Sequence, residues 1–265
     1  MTPFVKWAGG KGQLLAQLDP YFPPHFRKYL EPFVGGGAVF FHLQPKRAVL
    51  GDSNEELITC YRVIRNSPEE LIASLEQHRY ESDYFYEVRA RDPRQLTDVE
   101  RASRFIFLNK TCYNGLYRVN RRGQFNVPFG RYATPPRIFD PSNILGVSRL
   151  LQTSDLVCAS YEQTIQRAEP GDFVYFDPPY HPLSATANFT RYTQLAFTDF
   201  DQFWLAQAFR TLTERGVYVM LNNSDTPLVR WLYKAHRIVE ARANRAINSD
   251  PAKRNPVVEL IITNY

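Results

Sequence analysis

The chain has 265 residues, 44% of them hydrophobic, and a formal net charge of +5. That length suits one ordinary domain or one domain with an insertion, and the mild positive charge admits a polyanionic partner without requiring one. Three widely spaced cysteines argue against a disulfide framework or a zinc site, and no apolar run reaches the length of a membrane span, so a cytoplasmic, metal-free protein without membrane attachment is expected.

Taken in chain order, a glycine-containing loop, Trp7-Ala8-Gly9-Gly10-Lys11-Gly12, leads into a short helix. A strand ends at Tyr29-Leu30-Glu31-Pro32-Phe33 and feeds the glycine run Gly35-Gly36-Gly37, with a helix starting near Ala38. The next strand, Arg47-Ala48-Val49-Leu50, ends on Gly51-Asp52. Strand, glycine turn, helix, strand, acid is the order of a nucleotide-binding α/β half, in which the carboxylate grips the hydroxyls of a ribose. The glycines let the backbone turn sharply and approach a ligand, although the spacing does not fit G-x-G-x-x-G cleanly and a plain flexible loop stays open as a reading.

Residues 55–95 read as helical, with apolar positions at Leu57, Tyr61, Ile64, Leu71 and Leu75, and a further helix is expected over 98–109. Residues 110–136 are rich in turn signals and in Arg, Asn and aromatics, so 55–140 reads as a mostly helical insertion ending in a loop or hairpin. The α/β pattern then resumes with a strand over 155–159, a helix over 161–168 and a strand over 172–176. A long amphipathic helix over 199–215 follows, then a strand over 217–221 and two strand-like segments, 237–242 and 257–262, expected to pair.

The strand at 172–176 ends in Asp177-Pro178-Pro179-Tyr180. Ligands of open α/β sheets sit just beyond such strand ends. A carboxylate, two prolines with fixed φ and an aromatic ring make a stiff pocket for a planar heterocycle carrying an exocyclic amine. The amine would donate to Asp177 and to the Pro178 carbonyl while Tyr180 stacks on the ring. Standing alone, this tetrapeptide is also compatible with a tight turn. A nicotinamide cofactor would occupy the first half of the chain but gives no reason for this second site. S-adenosylmethionine explains both, with its ribose on Asp52 and its methyl group directed at the base.

Several blocks carry a resemblance. They are Phe4-Val5-Lys6-Trp7-Ala8-Gly9-Gly10-Lys11, the run from Glu31 to Gly37, Asp52-Ser53-Asn54, Tyr113-Asn114-Gly115-Leu116-Tyr117-Arg118, the stretch 123–132, the tetrapeptide at 177–180 and the stretch 182–190. In this order they resemble the Dam family of DNA adenine-N6 methyltransferases, the D12 class with a GATC-type target. The resemblance implies an α/β fold of the AdoMet-dependent methyltransferase kind: a Rossmann-like, mostly parallel sheet with a C-terminal hairpin and a helical target-recognition insertion. It implies a catalytic domain over 1–54 and 141–265 and a target-recognition domain over 55–140. It implies that Trp7, Lys11, Asp52 and Asp177 line the S-adenosylmethionine site with Phe33 beside it, and that Asp177, Pro178, Pro179 and Tyr180 are catalytic. It further implies that Lys6 and the segment 113–132, with Tyr113, Asn114, Leu116, Arg118, Asn126, Pro128 and Tyr132, touch double-stranded DNA. The chain departs from the family pattern at Gly36, where relatives often carry Ala, and at His181.

The expected reaction is direct methyl transfer to the N6 amine of an adenine flipped out of the duplex, by a monomer without metal or covalent intermediate. Tyr113 is the candidate to fill the gap in the base stack, Arg118 the candidate to read a guanine, and Arg121 and Arg122 candidates for phosphate contact. Three other readings are weighed. A cytosine-N4 enzyme would tend to carry Ser at position 177. A DNA-binding protein that has lost catalysis would not need Asp52, Asp177 and Tyr180 intact. A nicotinamide oxidoreductase leaves the second site unexplained.

Overall fold

A computed structural model describes residues 1–183, 197–243 and 257–265. The strands are β1 (Tyr29–Glu31), β2 (Ala48–Asp52), β3 (Ser154–Cys158), β4 (Phe173–Phe176), β5 (Tyr218–Ser224), β6 (Arg237–Ala243) and β7 (Val257–Thr263). They form one sheet in the order β3-β2-β1-β4-β5-β7-β6, in which β7 pairs antiparallel with both β5 and β6 and the other neighbours are parallel. This is the mostly parallel sheet with a C-terminal hairpin that the sequence leads one to expect.

The helices are α1 (Leu15–Leu18), α2 (Ala38–Leu43), α3 (Glu55–Asn66), α4 (Pro68–Glu76), α5 (Ser82–Ala90), α6 (Asp98–Thr111), α7 (Pro141–Leu151), α8 (Tyr161–Ile165), α9 (Asp199–Glu214) and α10 (Pro227–Leu232). The stretch expected to be helical over 55–95 is three helices. Ser67-Pro68 breaks the first from the second, because Pro68 supplies no N–H to the helix before it and fits the first turn of the one after. Helices α7 and α10 lie where no helix is expected from the periodicity. Each begins with a proline at its first position behind a capping side chain, Asp140 and Thr226 respectively.

Alternation along the strands feeds two layers. Tyr29, Leu50, Phe173, Tyr175 and Met220 join one buried cluster with residues of α3, α6 and α7. Leu30, Val49, Val174, Phe176, Val219 and Leu221 join a second with residues of α8, α9 and α10. A third, smaller cluster of Phe85, Val88, Phe107, Leu108, Cys112 and Val127 underlies the segment after α6, which folds back on itself through the antiparallel bridges Cys112–Phe129 and Val119–Phe125. Packing shows no break at residue 55: Leu57, Ile58, Tyr61 and Ile64 of α3 belong to the sheet's first cluster. Of these three clusters of described residues, the third lies wholly inside 55–140.

Candidate functional site

The sheet places the glycine loop after β1, Asp52 at the end of β2 and Asp177 just past β4, all at the carboxyl ends of adjacent parallel strands. The chain leaves β1 toward β2 on one side and returns through β4 on the other, so a crevice opens between them.

In the glycine loop, Gly35 has φ +47°, and a Cβ there would lie 2.6 Å from Cδ1 of Trp7. Both the left-handed backbone and the indole packed against it require glycine. Gly36 lacks the positive φ, and a Cβ would lie 3.2 Å from Cβ of Trp7, so this is the member of the run that tolerates a methyl group most readily. The Asp52 carboxylate holds the loop down. Its Oδ2 accepts from the Gly35 N–H at 3.1 Å, and its Oδ1 accepts from the Asn54 N–H at 2.9 Å. Burial pushes the Asp52 carboxyl up to about 6 despite these bonds. Trp7 stacks on Tyr117 at 5.6 Å and on Phe105 at 6.4 Å, which joins the loop to α6 and the hairpin. Phe33 stacks on Tyr161 at 5.4 Å.

Lys11 begins the 3-10 turn Lys11–Gln13, and its side chain is only 4% exposed. Its Nζ lies 2.7 Å from Oδ1 of Asp177, whose side chain is 19% exposed, and 4.9 Å from the centre of the Tyr180 ring. Burial pushes the Asp177 carboxyl up to about 6, while the Lys11 ammonium pulls the other way. Glu31 is buried at the end of β1 with its Oε2 unpartnered among the described residues, and burial raises its carboxyl well above the ordinary range. The sequence names Glu31 only as the first letter of the glycine motif and gives it no task.

The backbone after Asp177 is held from β5 and α9. Gln202 donates to the Pro179 carbonyl at 3.1 Å, Asn223 accepts from the His181 N–H at 3.0 Å, and Ser224 donates to the His181 carbonyl. The Pro178 carbonyl takes no hydrogen bond among the described residues. The Tyr180 hydroxyl donates to Oε2 of Glu259 on β7 at 2.6 Å. None of Gln202, Asn223, Ser224 or Glu259 is a candidate from sequence. The available signal is the polar run Asn222-Asn223-Ser224 at the end of an apolar strand, the same cue that marks Asp177.

The residues expected on DNA gather on the hairpin and the N-terminal loop. Asn109, buried on α6, accepts from the Lys6 N–H at 2.7 Å and donates to the carbonyls of Lys6 and Gly115. The Lys6 Nζ lies 4.8 Å over the Tyr132 ring. Tyr113 is 50% exposed, its N–H bonded to the Pro128 carbonyl, and Asn114 stands at φ +55° in the turn Tyr113–Gly115. Arg118 is exposed, with its Nε donating to Oδ1 of Asn126 at 2.7 Å. Leu116 is half-buried against the third cluster. Residues 184–190 of the family-like stretch after His181 lie outside the described residues. No helix among the described residues is long and apolar enough to cross a membrane, and none of their His, Cys, Asp and Glu side chains form a metal-binding group.

The family described as D12 class N6 adenine-specific DNA methyltransferase matches residues 7–247. The type II methyltransferase M1.LlaDCHI of Lactococcus lactis subsp. cremoris is 43% identical over the whole chain and 96% of its own length. The type II methyltransferase M.MjaIII of Methanocaldococcus jannaschii is 43% identical over the whole chain and 99% of its own length. The DNA adenine methylase of Escherichia coli strain K12 is 36% identical over 97% of this chain and 93% of its own.

Proposed function

The chain belongs to the D12 class of N6 adenine-specific DNA methyltransferases, and from that premise we propose that it takes its methyl group from S-adenosylmethionine and acts on the adenine of GATC in double-stranded DNA. The observation that carries this reading is the apposition of the glycine loop with Asp52 on one side of the crevice and Asp177 with Tyr180 on the other. The residues present fit a cationic sulfonium nucleoside. The glycine cradle has no room for a side chain at Gly35, Asp52 ends β2 as an acceptor for ribose hydroxyls, and Glu31 keeps a buried, unpartnered oxygen for an ammonium group. Trp7 and Phe33 supply apolar walls.

When bound, S-adenosylmethionine supplies a methyl group on a sulfonium sulfur, ready for direct displacement. Asp177 and the Pro178 carbonyl hold the two N–H bonds of the adenine amine, which takes its lone pair out of conjugation and aims it. Lys11 occupies Oδ1 of Asp177, which leaves Oδ2 as the acceptor. The carboxylate meets the positive charge that develops on the nitrogen, and with its affinity for protons raised it takes the proton the amine must lose. Tyr180 stacks on the flipped base and offsets part of the unstacking cost, a contribution of about 1–3 kcal/mol per base.

The third cluster with its hairpin is the reading head within 55–140. Tyr113 enters the stack that the base leaves, Arg118 reads guanine, and Lys6, Asn114, Leu116, Asn126, Pro128 and Tyr132 shape the same face. The GATC target rests on the resemblance of this hairpin to the Dam family. Expression in a methylation-free host, followed by mapping of every modified base, tests the whole reading. N6-methyladenine confined to GATC is expected. Methylcytosine, or methyladenine in another sequence, would overturn the substrate or the target respectively.

A further inference from the structure

Position 180 raises a physical question. A phenylalanine would stack on a base with the same ring area, yet the chain places a hydroxyl where burial and the nearby Asp177 push its ionisation well above the ordinary range. Such a hydroxyl needs a partner, and the partner is Glu259 at 2.6 Å. That is the length of a charge-assisted O–H···O⁻ bond.

The setting of Glu259 makes this bond more than satisfaction of a buried group. Asn223 and Ser224 of β5 fix the backbone of His181, and Gln202 of α9 fixes the Pro179 carbonyl, so the backbone is tied on either side of Tyr180. These contacts leave the side-chain torsions of Tyr180 free. Glu259 pairs in register with Ser224 of β5 on one side and Ala241 of β6 on the other, so its own backbone is locked inside the sheet. The residue is therefore held at its backbone from β5 and α9 and at its hydroxyl from β7. We propose that Glu259 is a positioning residue for methyl transfer, setting through the Tyr180 hydroxyl the plane of the ring on which the target base stacks. The proposal rests on the reading that Tyr180 is that stacking surface. It gives the antiparallel β7 a task in the reaction: the reversed strand brings a carboxylate back to the carboxyl ends of β4 and β5.

The experiment measures kcat and the KM for S-adenosylmethionine on a GATC duplex for Glu259→Ala, Glu259→Gln, Tyr180→Phe, Tyr180→Ala and the double variant Glu259→Ala/Tyr180→Phe. Glu259→Ala and Tyr180→Phe are each expected to lower kcat about ten- to a hundredfold, the span of one charge-assisted hydrogen bond, with KM for the methyl donor nearly unchanged. The double variant should be no slower than the slower single one, because both remove the same bond. Glu259→Gln keeps an acceptor and should recover most of the rate. Wild-type kcat in Glu259→Ala, multiplying losses in the double variant, or a glutamine variant no faster than alanine would each overturn the proposal. If Glu259→Ala fails to fold, Tyr180→Phe decides alone, and an unimpaired rate there overturns it. Tyr180→Ala separates the two levels. A slow Tyr180→Ala beside a fast Tyr180→Phe sinks only the role of Glu259, whereas an unimpaired Tyr180→Ala sinks the stacking reading beneath it.

Discussion

At the scale of single residues, the site is a set of carboxylates whose protons are held more tightly than usual. Asp52 and Asp177 are both pushed up to about 6, chiefly by burial. A carboxyl raised in the folded state contributes stability that is present below its unfolded value and is lost as the pH rises through about 6. The proposed roles favour the opposite state, since an ionised carboxylate accepts on both oxygens whereas a protonated one gives up one of them as a donor. Affinity for S-adenosylmethionine, followed by calorimetry, should therefore weaken as the pH falls from 7 to 5, and Asp52→Asn should be weaker throughout and flatter over that range. An Asp52→Asn variant with wild-type affinity at pH 7 would remove Asp52 as the ribose acceptor. Asp177→Ala is expected to abolish methyl transfer while leaving specific DNA binding intact, because the proposed reading head lies on a different element. Substantial turnover in that variant would show that the amine is held by something else.

At the scale of elements, the third cluster is what turns a turn-rich segment into a rigid hairpin. Phe85 of α5 is fully buried and packs 5.4 Å from Phe129 of the hairpin and 6.2 Å from Phe107 of α6. Phe85→Ala should cost about 3–5 kcal/mol in denaturant titrations. It should also weaken DNA binding while leaving affinity for the methyl donor unchanged. Equal losses for both ligands would mean that the hairpin and the sheet do not act as separable units. The same elements show what can be read from the chain. The run Phe173-Val174-Tyr175-Phe176 announces a central strand, because it is β-branched or aromatic at every position and buried on both faces. Helices α7 and α10 carry equally local signals, a capping side chain followed by proline, but α7 follows a loop-like stretch and α10 is too short for periodicity to show. Glu259 is not legible at all. A carboxylate within the strand-like run Val257-Val258-Glu259-Leu260 reads as the solvent face, and only the reversed course of β7 brings it to Tyr180. Lys11 and Asp177 are each legible, but their 2.7 Å contact is a property of the sheet order.

At the scale of the whole molecule, the proposed function divides chemistry from reading. The crevice at the carboxyl ends of β1, β2 and β4 holds Glu31, Asp52 and Asp177, while Arg118, Arg121 and Arg122 are exposed on the hairpin. Among those arginines the environments differ. Arg118 is drawn back onto Asn126, with its Nε donating to the side-chain oxygen and its Nη2 to the backbone carbonyl, so its guanidinium plane is fixed while Nη1 stays free among the described residues, a preorganisation that suits the proposed contact with guanine. Arg121 and Arg122 are exposed near the tip of the hairpin, and their guanidinium groups make no ion pair among the described residues, as suits phosphate contacts of no fixed geometry. Two behaviours follow, and methylation rates on GATC and on every single-base variant, measured across a salt series, separate them. Arg118→Ala should cost about 1–3 kcal/mol of discrimination at one base pair, so GATC slows far more than its near-cognates. Arg122→Ala should slow all sequences about equally and make the logarithmic salt slope shallower by about one unit, the share of one phosphate contact. Asn126→Ala should reproduce a fraction of the Arg118 effect and add little to it in the double variant, since it removes only the Nε contact to the side-chain oxygen of the same guanidinium. If Arg118→Ala instead slows every site by one factor, Arg118 is a backbone contact, and base reading must be sought on another face of the reading head.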